Sequence, residues 1–130
     1  MLWPDHCVQN SRGAEFHAQL DVSRAKVFRK GVDPAIDSYS GFFDNGHRRG
    51  TGLAEYLKSA NVTDVFVCGL ATDYCVKYTA LDARQLGFNV TLIIDACRGV
   101  NLQPRDVDAA IEEMRASNVN VVTSDLVAAL

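Results

Sequence analysis

Apolar and polar positions change period several times along this chain, and each change marks an element. Val65, Phe66, Val67 and Cys68 form an unbroken apolar run closed by Gly69, the pattern of a strand buried on both faces of a parallel sheet. Directly after it, Val76, Ala80, Ala83 and Leu86 fall on one stripe at helical spacing. Thr72 and Asp73 supply N-cap types, and Gly87 supplies the C-terminal stop. The spacing therefore predicts a helix whose first turn contains Cys75. The alternation then repeats. A strand is predicted from Asn89 to Ile94, and a helix from Pro104 to Ser117 with Val107, Ala110, Ile111 and Met114 on one face. A strand from Val119 to Val122 follows, then a short helix opening at Ser124 and Asp125. Ahead of the central unit, Ala25 to Arg29 reads as a strand, and Thr51 to Ala60 as a helix through Leu53, Tyr56, Leu57 and Ala60.

Strands alternating with helices predict right-handed crossovers and a mainly parallel sheet in a three-layer α/β/α architecture, with its site at the carboxyl edge of the sheet. Two stretches stand outside that rhythm. The chain through Asp21 is loop-rich, and the segment from Gly31 to Gly52, with Pro34, Asn45-Gly46 and Gly50, is irregular. It is long enough to be functional rather than a mere connector. No repeat, low-complexity segment or linker divides the chain, so residues 1–130 read as one domain.

Composition narrows the class. With 130 residues, 48% of them hydrophobic and 22% charged, the chain has enough apolar content for a real core. A net charge of −3 offers no basic footprint for nucleic acid. No apolar run approaches the ~20 residues that span a bilayer, and Met1-Leu2-Trp3-Pro4 is no secretory signal. The four cysteines include no Cys-x-x-Cys pair, which points to reduced thiols in a cytoplasmic protein.

The strongest chemical candidate is Cys75. At the start of a helix, unpaired backbone N–H groups and the positive end of the helix dipole favour a charged thiolate, and the same N–H groups suit an oxyanion. The competing reading is a small apolar packer, the usual fate of a free cysteine. Spacing alone does not decide between them.

The surrounding sequence goes further. Gly69-Leu70-Ala71-Thr72-Asp73-Tyr74-Cys75-Val76-Lys77-Tyr78-Thr79-Ala80-Leu81-Asp82-Ala83, followed by Ile93-Ile94-Asp95-Ala96-Cys97-Arg98-Gly99-Val100-Asn101, resembles the nicotinamidase (pyrazinamidase) branch of the isochorismatase-like cysteine hydrolase family. Three further segments agree, in order and nearly from end to end. They are Leu2-Trp3-Pro4-Asp5-His6-Cys7-Val8-Gln9, Val27-Phe28-Arg29-Lys30-Gly31, and Asp37-Ser38-Tyr39-Ser40-Gly41-Phe42-Phe43-Asp44-Asn45.

The resemblance implies hydrolysis of nicotinamide to nicotinate and ammonia in NAD salvage, through a Cys, Asp and Lys triad and a thioester. Cys75 matches the nucleophile and Lys30 the triad lysine. Ala71 matches the residue whose N–H lines the oxyanion hole with that of Cys75, and the Leu70–Ala71 bond matches a position that is cis in relatives. Trp3 and Tyr39 resemble aromatic walls of the substrate pocket, on which a pyridine ring would stack. His6 resembles one ligand of a divalent metal ion, with zinc, iron and manganese all suited to such a mixed site. His17 and His47 match no ligand and read as surface or packing residues.

The family's first strands, its catalytic aspartate and most of its metal ligands lie ahead of the point where these residues begin to match. The 130 residues thus read as the carboxyl-terminal majority of an isochorismatase-like hydrolase domain, expected to be inactive alone. Three origins fit: a fragment of a longer product, a truncated gene model, or a chain that completes its sheet by homo-oligomerisation. The alternatives for function are another small-amide cysteine hydrolase of the same family, a non-catalytic truncated paralogue and a thiol redox module. The lack of a resolving cysteine near Cys75 argues against the last.

Overall fold

The computed structural model describes residues 3–127. In chain order the regular elements are α1 (Leu53–Ser59), β1 (Asp64–Leu70), α2 (Lys77–Gln85), β2 (Asn89–Arg98), α3 (Asp106–Ala116), β3 (Asn120–Val122) and α4 (Ser124–Val127). The three strands form a parallel sheet in the order β1-β2-β3. Each neighbouring pair is joined through a helix, as the alternating pattern predicts.

One face of the sheet carries the core. Val90 and Leu92 of β2 are buried with Val76, Ala80, Ala83, Met114 and Val119, and Val65, Val67 and Val121 pack against them from the neighbouring strands. Helices α1, α2 and α3 all contribute to this one cluster through Ala54, Ala80, Ala83 and Met114. Full burial of side chains such as Leu92 and Met114 contributes about 1.5–3 kcal/mol each. The stripe predicted for α2 is the stripe that packs.

The helix ends where its glycine dictates. Gly87 takes a left-handed φ of 92°, its N–H donates to the Arg84 carbonyl, and the Phe88 N–H donates to the Ala83 carbonyl. This pair of bonds is a Schellman motif, for which glycine pays no Cβ penalty.

Several expectations are corrected. Residues Ala25 to Arg29 form no strand. A strand needs a neighbour for its N–H and C=O groups, and among the described residues none lies beside this segment in a ladder. Nor is β1 buried on both faces. Its exposure alternates, with Phe66 and Leu70 48% and 73% exposed, while Val65 and Val67 turn to the core. As the end strand of the described sheet it is covered by helices on one side only.

Strand β2 runs four residues past its predicted end, because the register shifts between Val67 and Gly69 of β1 and lets Cys97 and Arg98 pair with Gly69 and Leu70. Pro104 and Arg105 precede α3 rather than begin it.

Candidate active site

The site gathers at the carboxyl end of β1. Gly69 leaves the strand with a φ of 112°, the Leu70–Ala71 peptide bond is cis as the resemblance implies, and the chain then turns into helix. The entry is not the capped α-helical turn that the sequence suggests. Thr72–Val76 form one π-helical turn ahead of α2, and neither Thr72 nor Asp73 caps it through its side chain. The Ala71 carbonyl instead accepts the N–H groups of both Tyr74 and Val76. Such wide turns recur at functional positions. Cys75 sits in this turn, half-buried.

Asp73 has a different task. It is 6% exposed, and its two carboxylate oxygens accept the backbone N–H groups of Val100 at 2.9 Å and Asn101 at 2.7 Å. The loop after β2 is thereby fastened to the turn that carries the thiol. Gly99 makes the approach close, since a Cβ there would stand 2.1 Å from the Val107 Cγ2 and 3.1 Å from the Asp73 Oδ1.

Lys30 arrives from the irregular segment, 45 residues away in sequence. Its ammonium donates to the Ser38 carbonyl at 2.6 Å and lies 3.4 Å from the Cys75 Sγ. The structure therefore brings together the two residues that sequence reasoning pairs.

Trp3 and Tyr39 also meet. The Trp3 indole N–H donates to the Tyr39 hydroxyl at 2.9 Å. Tyr74 packs against both, edge-on to Trp3 at 5.0 Å and to Tyr39 at 5.5 Å, and Tyr39 stacks on Tyr78 at 5.6 Å. Desolvation, ahead of the neighbouring Asp73 charge, pushes the Tyr74 phenol up from its ordinary value. Sequence reasoning gives Tyr74 and Tyr78 no role, although both lie in the segment that carries the resemblance, Tyr74 immediately before Cys75 and Tyr78 immediately after Lys77.

Helix α2 holds the irregular segment at further points. The Thr79 hydroxyl donates to the Cys75 carbonyl at 2.6 Å and accepts from the Gly41 N–H at 2.8 Å. His47, stacked on Phe43, approaches the buried Asp82 carboxylate at 3.4 Å. Both histidines are exposed: His47 stacks at the surface, and His17 accepts from the Gln19 N–H.

His6 does not form a metal centre with its neighbours. It is exposed, its Nδ1 contacts the Pro4 carbonyl at 2.7 Å, and no group of three or more His, Cys, Asp or Glu able to hold a metal occurs among the described residues. A lone imidazole does not make a metal site. All four cysteines are free thiols, with Cys7 and Cys68 exposed and Cys97 buried. No helix among the described residues is long and apolar enough to cross a membrane.

Comparison with known proteins gives a consistent answer. The isochorismatase domain model matches residues 2–125, and the chain belongs to that family. A nicotinamidase of Escherichia coli K12 is 53% identical over 123 residues, covering 94% of this chain and 58% of its own. An L. infantum protein crystallised with nicotinate superposes with a TM-score of 0.90 at 42% identity, over 95% of this chain and 62% of that one. A pyrazinamidase of Pyrococcus horikoshii in complex with zinc gives a TM-score of 0.80 at 41% identity, over 94% and 63%. The chain therefore spans about three fifths of the length of the proteins it matches.

Proposed function

We propose that this member of the isochorismatase family carries the nucleophile, the lysine and the aromatic wall of a nicotinamidase, a hydrolase that converts nicotinamide to nicotinate and ammonia. The observation that carries the reading is the 3.4 Å approach of the Lys30 ammonium to the Cys75 Sγ at the carboxyl end of β1. The aromatic cluster of Trp3, Tyr39 and Tyr74 beside it supports the same reading, because a flat pyridine ring has faces and edges to stack against.

In this reading Cys75 Sγ attacks the carboxamide carbon, and a C–S bond forms as the carbonyl electron pair moves to oxygen. The N–H groups of Ala71 and Cys75 receive that oxyanion, and Lys30 balances the charge on sulfur. The C–N bond then breaks, and the proton surrendered by the thiol leaves with ammonia. Water attacks the thioester, the C–S bond breaks, nicotinate departs and the thiol is restored.

The group that ferries the proton would be a carboxylate from the part of the relatives' length that these 130 residues do not cover. Asp73 is poorly suited to it, since both its oxygens are engaged by backbone N–H groups. His6 is assigned as one ligand of a divalent metal whose other ligands would come from the same uncovered part. The pyrazinamidase relative favours pyrazinamide as a second substrate. The physiological place is NAD salvage in the cytoplasm.

The test is ammonia release from nicotinamide by the full-length protein, with mass spectrometry of the Cys75 peptide under acid quench. Cys75→Ala should abolish both the release and the acyl adduct. Turnover surviving in that variant would refute the assignment.

A further inference from the structure

The Lys30–Cys75 approach needs an explanation, because nothing in the secondary structure of Lys30 provides one. Lys30 lies in a segment without regular structure and is exposed. Its ammonium is held by one carbonyl, that of Ser38. An exposed lysine with one fixed partner keeps its position only as well as that partner keeps its own.

Ser38 is in turn fixed by its own hydroxyl, which donates to the Phe43 carbonyl at 3.3 Å, and by the chain three residues later. The Gly41 N–H donates to the Thr79 hydroxyl at 2.8 Å, and the Gly41 carbonyl accepts the Thr51 hydroxyl at 2.7 Å. Thr79 is the member of this set that reaches the thiol's own turn, because the same hydroxyl donates to the Cys75 carbonyl at 2.6 Å. A hydroxyl has one proton to give and lone pairs to accept with, and here both capacities are used, one toward each side of the site.

The contacts close into a ring: Cys75 Sγ to Lys30, Lys30 to the Ser38 carbonyl, Ser38 along the chain to Gly41, Gly41 to Thr79, and Thr79 back to the Cys75 carbonyl. Gly41 fits close against the helix here, since a Cβ at that position would already stand in contact with the Thr79 methyl and hydroxyl at 3.5 Å.

We propose that Thr79 is a positioning residue for the Lys30–Cys75 pair: its bridging hydroxyl ties the loop that receives the lysine to the turn that carries the thiol, and so sets the distance between them. This rests on the reading of Cys75 and Lys30 given under Proposed function. A threonine that bonds back to the carbonyl four residues earlier is common in helices. The second bond, to a loop that anchors the lysine, is what gives this one a role in the site.

The experiment measures the rate of Cys75 carboxamidomethylation by iodoacetamide at neutral pH in the full-length protein, read from the Cys75 peptide so that Cys7 and Cys68 do not contribute. The variants are Thr79→Val, Thr79→Ser, Lys30→Met and the double variant Thr79→Val with Lys30→Met. Thr79→Val should slow alkylation roughly three- to tenfold, in the lower part of the range of coupling between contacting residues, and Thr79→Ser should restore most of the rate. In the Lys30→Met background Thr79→Val should have no further effect, because the distance it sets no longer matters.

Equal slowing by Thr79→Val in both backgrounds, or no rescue by Thr79→Ser, would overturn the proposal and leave Thr79 a local structural residue. A normal rate in Thr79→Val with a slowed Lys30→Met overturns it while the lysine–thiol reading stands. An unchanged rate in Lys30→Met overturns that reading itself. Urea midpoints of the four proteins separate loss of fold from loss of placement, and Thr79→Ala, which also removes the hydroxyl, takes the place of Thr79→Val in both backgrounds if that variant unfolds.

Discussion

Replacing Asp73 by Asn should loosen the loop after β2 from the turn that holds Cys75, and the structure gives the size of the effect. The Asp73 carboxylate is 6% exposed and accepts two backbone N–H bonds, from Val100 and Asn101. Asparagine offers one acceptor oxygen, so one of these amides would face an NH2 donor. Hydrogen bonds to a charged group contribute about 1.5–3 kcal/mol each. Val100 and Asn101 are themselves exposed, so water can take over a released amide, which holds the expected cost near the lower end, about 2 kcal/mol. With a urea slope of about 1–3 kcal/mol per molar, the unfolding midpoint should fall by on the order of 1 M. Gly99→Ala attacks the same junction from the other side, since its Cβ would collide with Val107 and crowd Asp73. Overpacking of this kind costs about 1–3 kcal/mol, and the two substitutions should be less than additive because they break one contact. The assay is equilibrium urea unfolding of the single and double variants, with amide exchange at Val100 and Asn101. A wild-type midpoint in Asp73→Asn with unchanged exchange at those two amides would refute the reasoning.

Three further outcomes are expected. Asp95 is held below its ordinary value first by the Ser124 hydroxyl and then by the Ser124 N–H; a depressed carboxylate contributes stability above its unfolded-state value and loses it as pH falls through the folded-state one, so amide protection of α4 should drop below about pH 4 in the parent and show no such step in Asp95→Asn. Met114, wholly buried between α3 and the sheet, should cost about 2–5 kcal/mol when cut to alanine, read as a lower thermal midpoint. The 130 residues alone, supplied in turn with zinc, iron or manganese, should release no ammonia from nicotinamide, whereas the same residues preceded by the corresponding segment of the E. coli relative should; equal turnover by both would move the missing carboxylate inside this chain, with Asp5 and Asp37 the first to replace.

Much of the fold is legible in the sequence because the core face is written at two clear periods. Val65 and Val67 alternate, Ala80 and Ala83 recur at helical spacing, and Gly87 stops the helix by a backbone conformation that other residues resist. Strand burial is less legible. The run from Val65 to Cys68 is apolar on both faces, so its sequence describes a fully covered strand, while the described residues cover only the side of Val65 and Val67. Ala25 to Arg29 fails for a related reason, since strand propensity expresses a fit to neighbours rather than a backbone preference. The π-helical turn at Thr72–Val76 and the use of Asp73 as a loop clamp have no sequence signal, because cap-type residues serve equally well as acceptors for distant N–H groups.

The two halves of the site are held by different physics. Cys75 stands between β1 and α2, in a turn flanked by the buried Val76, Thr72 and Asp73, so moving it means disturbing the core. Lys30, Ser38 and Tyr39 belong to a segment with no ladder of its own except the single bridge between Phe43 and Gly50; it is held by the burial of Phe42 in the core and by contacts to α2: Tyr39 on Tyr78, Gly41 on Thr79, His47 on Asp82. Three contacts from two turns of one helix therefore help to place the lysine and the aromatic wall, and that helix directly follows the turn that carries the thiol. Side chains on one face of α2 thus bear on the separation of the reacting groups, which is why Tyr78, Thr79 and Asp82, none of them given a role by the resemblance, are places where the geometry of the site can be tuned without touching Cys75 or Lys30.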